Sequence, residues 1–251
     1  MKSKPAKRKR LDLLLVDRGL ADSATKAQAM ILAGEVSVDN VRADKAGAPI
    51  AEDARVAVTS RTQKYASRGG IKLEGALEDF GLNPASFICL DVGSSTGGFT
   101  DCLLQKGASR VYAVDVNVDQ IAWKLHQDNR VVRIERNARE LRREDIPEPV
   151  DLVVVDVSFI SATKVLPPAA TIAKPGANLL VLVKPQFELP KKDVGTGGIV
   201  NDQALHEKAV EKVRAAAMAA GLEILGMRPS HLPGAEGNQE YFLHARKKPL
   251  E

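Results

Sequence analysis

Aromatic side chains are scarce, 4% of 251 residues, so a surface that stacks many bases is not indicated. Cysteine is scarcer still, with Cys89 and Cys102 alone. They sit in a strand-like and a helix-like apolar run, which suits buried thiols better than a disulfide framework. No CxxC pair or His/Cys cluster points to a metal. Long apolar runs are also missing. The longest, such as Leu152–Val155 and Leu179–Val183, are strand-sized, whereas a membrane helix needs about 20 apolar residues. The basic start Met1–Arg10 has no signal-type apolar run behind it. A soluble cytoplasmic protein without a membrane partner is therefore expected.

Apolar residues are plentiful, at 44%, enough for a sizeable core. The net charge of +4 is unevenly spread. Residues 1–72 hold 15 Lys and Arg against 8 Asp and Glu, and the remainder holds 21 against 24. A basic front on a near-neutral body suggests that the N-terminal part meets a polyanion.

Residues 1–9 read as a basic tail. Leu11, Leu14 and Leu15 share one helical stripe, ended by Gly19. Ser23 is a suitable N-cap for a second helix carrying Ala27 and Ile31 on one face, with Gly34 as its stop. Val36, Val38 and Val41 straddle Asp39-Asn40 as a hairpin, and Val56 and Val58 supply another strand. The pattern Arg10-Leu11-Asp12…Arg18-Gly19-Leu20…Ser23…Ala27…Ile31…Gly34…Val36…Val38 resembles the S4 RNA-binding domain, over residues 10–58. The resemblance implies a small α+β module whose outer cations meet RNA phosphates. Lys9, Arg10, Arg18 and Lys26 are the candidates, although the family commonly has an arginine where Thr25-Lys26 stand. Residues 59–67 read as a polar linker.

From residue 68 to 251 the pattern becomes α/β. Strands are expected at Phe87–Val92, Val111–Val116, Val131–Glu135, Leu152–Val157, Leu179–Lys184, Glu223–Met227 and Glu240–Ala245. Helices are expected at Lys72–Phe80, Gly97–Lys106, Val118–Asp128, Ser161–Ala173 and Asp202–Ala220. Apolar strands between helices indicate a mostly parallel seven-stranded sheet, with the last two strands as an antiparallel closing pair.

The first of these strands ends in Asp91-Val92-Gly93-Ser94-Ser95-Thr96-Gly97-Gly98-Phe99. A glycine turn opening a helix is a nucleotide-binding arrangement. The second strand ends in Asp115, where a carboxylate can accept from both ribose hydroxyls. NAD and S-adenosylmethionine (SAM) are the two readings. The turn lacks the third glycine of the dinucleotide form, and Asp91 would repel a pyrophosphate but suit the SAM ammonium. The string resembles motif I of the Rossmann-like class I SAM-dependent methyltransferases. Gly93, Ser94, Ser95, Gly97, Gly98 and Phe99 then join Asp91 and Asp115 as cofactor residues. Asn137 fits the position that reads the adenine edge.

Asp156 and Lys184 each end an apolar run, in Val153-Val154-Val155-Asp156-Val157-Ser158-Phe159 and Leu182-Val183-Lys184-Pro185-Gln186-Phe187-Glu188. Such strand tips are where open α/β sheets bind ligands. Lys72 and Glu240 do not stand out in this way. The motifs SRGGIKL, DVGSSTGGFTD, DVSFIS, LVKPQFE, GGIVND and GNQEYF resemble the TlyA (hemolysin A) family over nearly the whole chain. That family joins an S4 domain to an FtsJ/RrmJ-like methyltransferase domain. The resemblance implies a catalytic tetrad of Lys72, Asp156, Lys184 and Glu240, with Asp156 also beside the cofactor. It also implies 2′-O-methylation of cytidine in ribosomal RNA. A lysine acts as base only when enough of it is neutral, and Lys184 is the expected base. Arg68, Lys191 and Lys192 are further candidate RNA contacts, the last two on a glycine-containing loop expected to flex over residues 189–202. A membrane-active haemolysin and a non-catalytic RNA binder are the competing classes. The first lacks a spanning segment, and the second has no need of the tetrad.

Overall fold

The computed structural model describes residues 7–32, 34–58, 64–234 and 236–249. Residues 1–6 of the expected tail and 59–63 of the expected linker lie outside the described residues. The chain divides into two units, Met1–Thr62 and Gln63–Glu251.

The first unit runs β1 (Arg8–Arg10), α1 (Leu11–Asp17), α2 (Ala24–Leu32), β2 (Val36–Val38), β3 (Val41–Arg42), β4 (Pro49–Ala51) and β5 (Val56–Val58). Leu11, Leu15, Ala27, Ile31 and Val36 form its core, as the helical stripes predict. Ser23 Oγ accepts from Lys26 N at 3.2 Å and caps α2. Asp39 and Asn40 take φ of 50° and 66°, as a tight β2–β3 turn requires. One difference lies at the front. Residues 8 and 9, expected in the tail, pair together with Arg10 antiparallel to Pro49–Ala51. Both strands are only three residues long, and β1 is all charged, so no alternation marked them.

Asp12 ties this unit together. It is 1% exposed and accepts from Arg10 Nη2 at 2.7 Å, Gln28 Nε2 at 2.8 Å and Leu13 N at 2.9 Å. It thus joins β1, α1 and α2.

The second unit runs α3 (Gly69–Asp79), β6 (Ile88–Val92), α4 (Gly98–Gln105), β7 (Arg110–Asp115), α5 (Trp123–His126), β8 (Val131–Glu135), β9 (Val150–Val155), α6 (Leu166–Ile172), β10 (Ala173–Val183), α7 (Pro185–Glu188), α8 (Gln203–Ala219), β11 (Leu222–Pro229) and β12 (Tyr241–Lys247). Its seven-stranded Rossmann-like sheet has the order β11-β12-β10-β9-β6-β7-β8. β12 is antiparallel to both neighbours, and the other pairs are parallel. Strand periodicity sorts side chains to two faces. Leu90, Val153, Val155 and Val181 pack with Leu166, Ala169, Val210 and Val213 of α6 and α8. Cys89, Val111, Val154 and Leu180 pack with Leu73, Leu77 and Leu103 of α3 and α4.

Two expected helices differ. Val118–Asp128 is a 3-10 turn at Val118–Gln120 followed by four-residue α5. One backbone donor is used elsewhere: Ala122 N, which a continuous helix would direct to Val118 O, reaches Thr96 O instead. Ser161–Ala173 begins as a 3-10 turn, and α6 starts only at Leu166, where the prolines at 167 and 168 suit a first turn. Residues 64–67, expected in the linker, belong to the second unit. Tyr65 is buried, and Ala66 N donates to Asp101 Oδ2 at 2.7 Å.

The Arg10 guanidinium holds the Asp12 carboxyl well below the usual carboxylate range; burial opposes this, and the Gln28 and Leu13 hydrogen bonds add to it. A lowered native value contributes stability above the ordinary pKa near ~4, lost as pH falls through the native value. Asp12→Asn therefore loosens the N-terminal unit by about 1–3 kcal/mol near neutrality. The difference from wild type shrinks in strong acid. Hydrogen exchange of the α1 and α2 amides reads it, and equal protection at pH 7 would refute the assignment.

Candidate active site

The chain order of the strands reverses at β6, which lies between β7 and β9. Open α/β sheets bind ligands at such a point, beyond the strand carboxyl ends. The glycine loop leaves β6 here. Gly93 N and Ser94 N both donate to Val114 O, at 2.9 and 3.1 Å. Gly93 has φ +86°, and a Cβ on it would stand 2.3 Å from Asp156 O. Only glycine lets the loop lie against the tip of β9. Gly98 is pressed similarly, since a Cβ there would meet Ser67 Oγ at 2.1 Å.

Asp115, at the tip of β7, accepts from Ser95 N at 2.9 Å through Oδ2. Its Oδ1 accepts from Asn117 N at 3.1 Å. A cleft of about 470 Å³ opens beside it, lined by Gly93, Ser95, Asp115, Arg136, Asn137 and Phe159 among others. Asn137 Oδ1 accepts from Arg139 N at 3.1 Å, which leaves the amide N–H groups for a ligand.

A smaller hollow of about 200 Å³ shares Gly93, Ser95, Asp156 and Ser158 with that cleft and adds Arg68, Lys72 and Lys184. All four expected catalytic residues lie in or behind it, as two ion pairs. Lys184 Nζ is 2.5 Å from Asp156 Oδ1. That approach lacks hydrogen-bond geometry at the oxygen, and the lysine's hydrogen bond goes to Ser158 Oγ at 2.9 Å. Lys72 Nζ donates to Glu240 Oε2 at 2.5 Å, and both are buried. A larger hollow, about 850 Å³, lies beyond Phe159 and contains none of the four. Chemistry is assigned to the smaller clefts because they hold the convergent acid and base groups.

Asp91 differs from expectation. It does not line either cleft but lies buried behind the loop, with Oδ2 accepting from Thr100 Oγ1 at 2.7 Å. Its Oδ1 is buried without a partner. Burial pushes this carboxyl up to about 7; the Thr100 hydroxyl opposes the rise, and Asp156 and Asp115 add to it. An orphaned acceptor beneath the loop, with Asp115 and Asp156 in the cleft wall, fits a ligand that is a cation and bears a ribose. Phe99 is buried and packs on Phe242, with ring centroids 6.1 Å apart. Gly97 packs on Ile121 and Leu125.

Sequence reasoning gave no role to Ser158, Thr100 or Asp101. Asp101 receives Ala66 N and lies 2.5 Å from Lys124 Nζ, fastening residues 64–67 to α4. An isolated polar residue in a helix pattern carries no such signal.

Among the candidate RNA contacts, three have partners inside the first unit. Lys9 pairs with Asp17 and Arg10 with Asp12. Arg18 donates to Ala54 O at 2.9 Å and Glu52 O at 2.6 Å. Lys26 is exposed. Arg68 lines the smaller hollow and donates to Pro233 O at 3.3 Å. Lys191 and Lys192 are exposed in a 3-10 turn. The far end of their loop is hydrogen-bonded to Asn238 and His206. Asn238 accepts from Val200 N and donates to Gly198 O, each at 2.9 Å, and His206 Nε2 meets Val200 O at 2.7 Å. Among the described residues no helix is long and apolar enough to cross a membrane.

The raised Asp91 value predicts a pH signature. The folded state holds a proton that the unfolded chain releases near ~4, so stability falls as pH rises from about 4 to above 7. Full ionisation costs on the order of 4 kcal/mol, at about 1.4 kcal/mol per pH unit. Asp91→Asn removes this cost, so its thermal midpoint gains on wild type between pH 5 and pH 8. Parallel midpoints across that range would contradict the buried, half-protonated carboxyl.

The FtsJ-like methyltransferase family matches residues 65–247, and the S4 domain matches residues 9–56. The 16S/23S rRNA (cytidine-2'-O)-methyltransferase TlyA of Mycobacterium tuberculosis is 46% identical over 243 residues, 96% of this chain and 91% of that protein. Hemolysin A of Brachyspira hyodysenteriae is 42% identical over 240 residues, 94% of this chain and 98% of that protein. A solved structure from Streptococcus thermophilus, bearing a provisional hemolysin name, superposes with a TM-score of 0.75 at 39% identity. It covers 97% of this chain and 90% of that one. Similarity of this extent, along both units, means that the chain belongs to the TlyA (hemolysin A) family, an S4 domain joined to an FtsJ-like methyltransferase domain.

Proposed function

We propose that the protein transfers a methyl group from SAM to the 2′-hydroxyl of a cytidine ribose in ribosomal RNA, with Lys184 as the base. The observation that carries this is the Lys184–Asp156–Ser158 group at the place where the two clefts meet. The relatives' names supply the cytidine and the ribosomal RNA, of the small subunit, the large subunit or both. Such a substrate places the reaction in the cytoplasm.

The glycine loop from Gly93 to Gly98 and Phe99 bounds the cofactor site. Asp115 takes the ribose hydroxyls and Asn137 the adenine edge, while Asp91, buried behind the loop, acts on the cation through space rather than by contact. Bound SAM supplies an already activated methyl group. What the protein must add is a nucleophile. A ribose hydroxyl gives up its proton as it attacks, and Lys184 receives that proton when it enters the step neutral. Asp156 and Ser158 hold its Nζ in place. Lys72, clasped by Glu240, positions the ribose from the opposite wall. Alignment of the hydroxyl with the methyl group supplies much of the remaining acceleration.

The exposed cations Lys26, Lys191 and Lys192, with Arg68 beside the tetrad, are the phosphate contacts. Arg18 adds charge while bracing the first unit, and Lys9 and Arg10, paired with carboxylates, mainly brace it. Recognition through backbone and shape suits a chain poor in aromatics.

The test is methylation of purified 30S, 50S and 70S particles with labelled SAM. Trp123 is the only tryptophan, exposed beside Ala122, whose N–H bonds to Thr96 O of the cofactor loop. Its fluorescence is the readout followed for SAM binding. Lys184→Ala is expected to lose about 10²–10⁴-fold in methyl transfer while the SAM-induced fluorescence change persists. Wild-type turnover by this variant would eliminate Lys184 as base. No labelling of any particle would favour a non-catalytic binder.

A further inference from the structure

Glu188 is only 4% exposed, yet nothing in the proposed chemistry uses it. A carboxylate taken out of water is tolerated only when its charge is met. Here it is met by a loop that the chemistry does use. Ser161 Oγ donates to Oε2 at 2.5 Å, and Ala162 N donates to Oε1 at 2.7 Å. Lys212 Nζ lies 3.4 Å from Oε2 and donates to the Glu188 backbone oxygen at 2.6 Å.

These bonds join two segments that leave adjacent parallel strands. β9 ends at Val155 and delivers Asp156, Ser158, Ser161 and Ala162; β10 ends at Val183 and delivers Lys184 and Glu188. The segments are thus stapled twice. Near the strand tips Lys184 meets Asp156 and Ser158. Farther out, Glu188 grips Ser161 and Ala162. Between the staples stands Phe159 at φ +64°, a left-handed conformation that a bulky residue keeps only when its surroundings impose it. Phe159 is 91% exposed, with the Phe187 ring 5.3 Å away between centroids, so the two staples rather than side-chain packing hold this backbone. The shape of residues 156–162 is therefore imposed from the β10 side.

We propose that Glu188 is a positioning residue for methyl transfer: it holds the segment from Asp156 to Ala162 in the shape that sets Asp156 and Ser158 against Lys184. This rests on the reading of Lys184 as the base.

The experiment uses the full chain and ribosomal particles, with kcat at saturating SAM and RNA and SAM binding from Trp123 fluorescence. Glu188→Ala is expected to lower kcat about 10- to 100-fold, the scale of a misplaced catalytic group. SAM affinity stays within about twofold. Glu188→Gln keeps an acceptor for Ala162 N and recovers part of the loss. In an Asp156→Asn background Glu188→Ala adds less than about threefold, because the alignment it protects is already lost. A folded Glu188→Ala protein with wild-type kcat overturns the inference. So does the same fold-loss in both backgrounds, which would mean that Glu188 acts independently of the pair. Should Glu188→Ala not fold, Ser161→Ala removes one arm of the outer staple and is read by the same cycle. Lys184→Ala is assayed alongside. Full activity there defeats the base reading and this inference with it. An inactive Lys184→Ala beside fully active Glu188 variants defeats the positioning role alone.

Discussion

The site depends on the parallel pairing of β6 with β9. Asp91 stands opposite Val154 and Val92 opposite Val155, and Asp156 N donates to Val92 O at 2.9 Å. Gly93 then lies against the Asp156 carbonyl with no room for a side chain. The cofactor loop and the acid of the catalytic pair are one backbone-bonded body. The neighbouring strand order brings the rest. β10 lies beside β9 and presents Lys184 at its end, while antiparallel β12 starts where the others finish, with Tyr241 opposite Val183. Glu240 therefore reaches the site from the beginning of a strand. Lys72 meets it from α3, which packs on the same face as Phe242.

Charge is distributed unevenly across this body. Asp91, Asp115, Asp156 and Glu240 face two lysines. The lysines are matched, Lys184 by Asp156 and Lys72 by Glu240. Asp115 is answered by backbone N–H groups. Asp91 is the remainder, with one oxygen satisfied by Thr100 and its carboxyl raised to about 7 by burial. A cation near the loop favours its ionised form and draws off the proton, so ligand binding and protonation are linked through this one group.

The sequence made legible what depends on local pattern. Strands buried on both faces appear as apolar runs, as the central β6, β7, β9 and β10 do, whereas the half-exposed edge strands β8 and β11 carry a weaker pattern. Asp156 and Lys184 were readable because a polar residue closing such a run lies at the strand tip. Lys72 and Glu240 were not, since one sits inside a helix and the other just before a strand; only the family resemblance singled them out. Ser158, Thr100 and Glu188 stayed silent because each is defined by a partner distant in sequence. The failed helix at Val118–Asp128 has the same cause. Its apolar spacing is helical, but Thr96 O takes the Ala122 N–H that a continuous helix would use.

The N-terminal unit shows why counting charges is a poor count of contacts. The excess of cations in residues 1–72 suggests a polyanion, and the S4 match agrees. Yet Lys9, Arg10 and Arg18 are bonded to Asp17, Asp12 and the carbonyls of Glu52 and Ala54. These bonds have unequal electrostatic consequences. Arg18 on carbonyls keeps its full charge, so its field still reaches outward. Lys9 and Arg10 are paired with carboxylates, whose adjacent opposite charges largely cancel their fields. Lys26, exposed on α2, is neither cancelled nor committed to the scaffold. The attractive field and the direct contacts are thus carried by different residues, so removing Arg10 would act first on the fold of the unit and only through it on RNA.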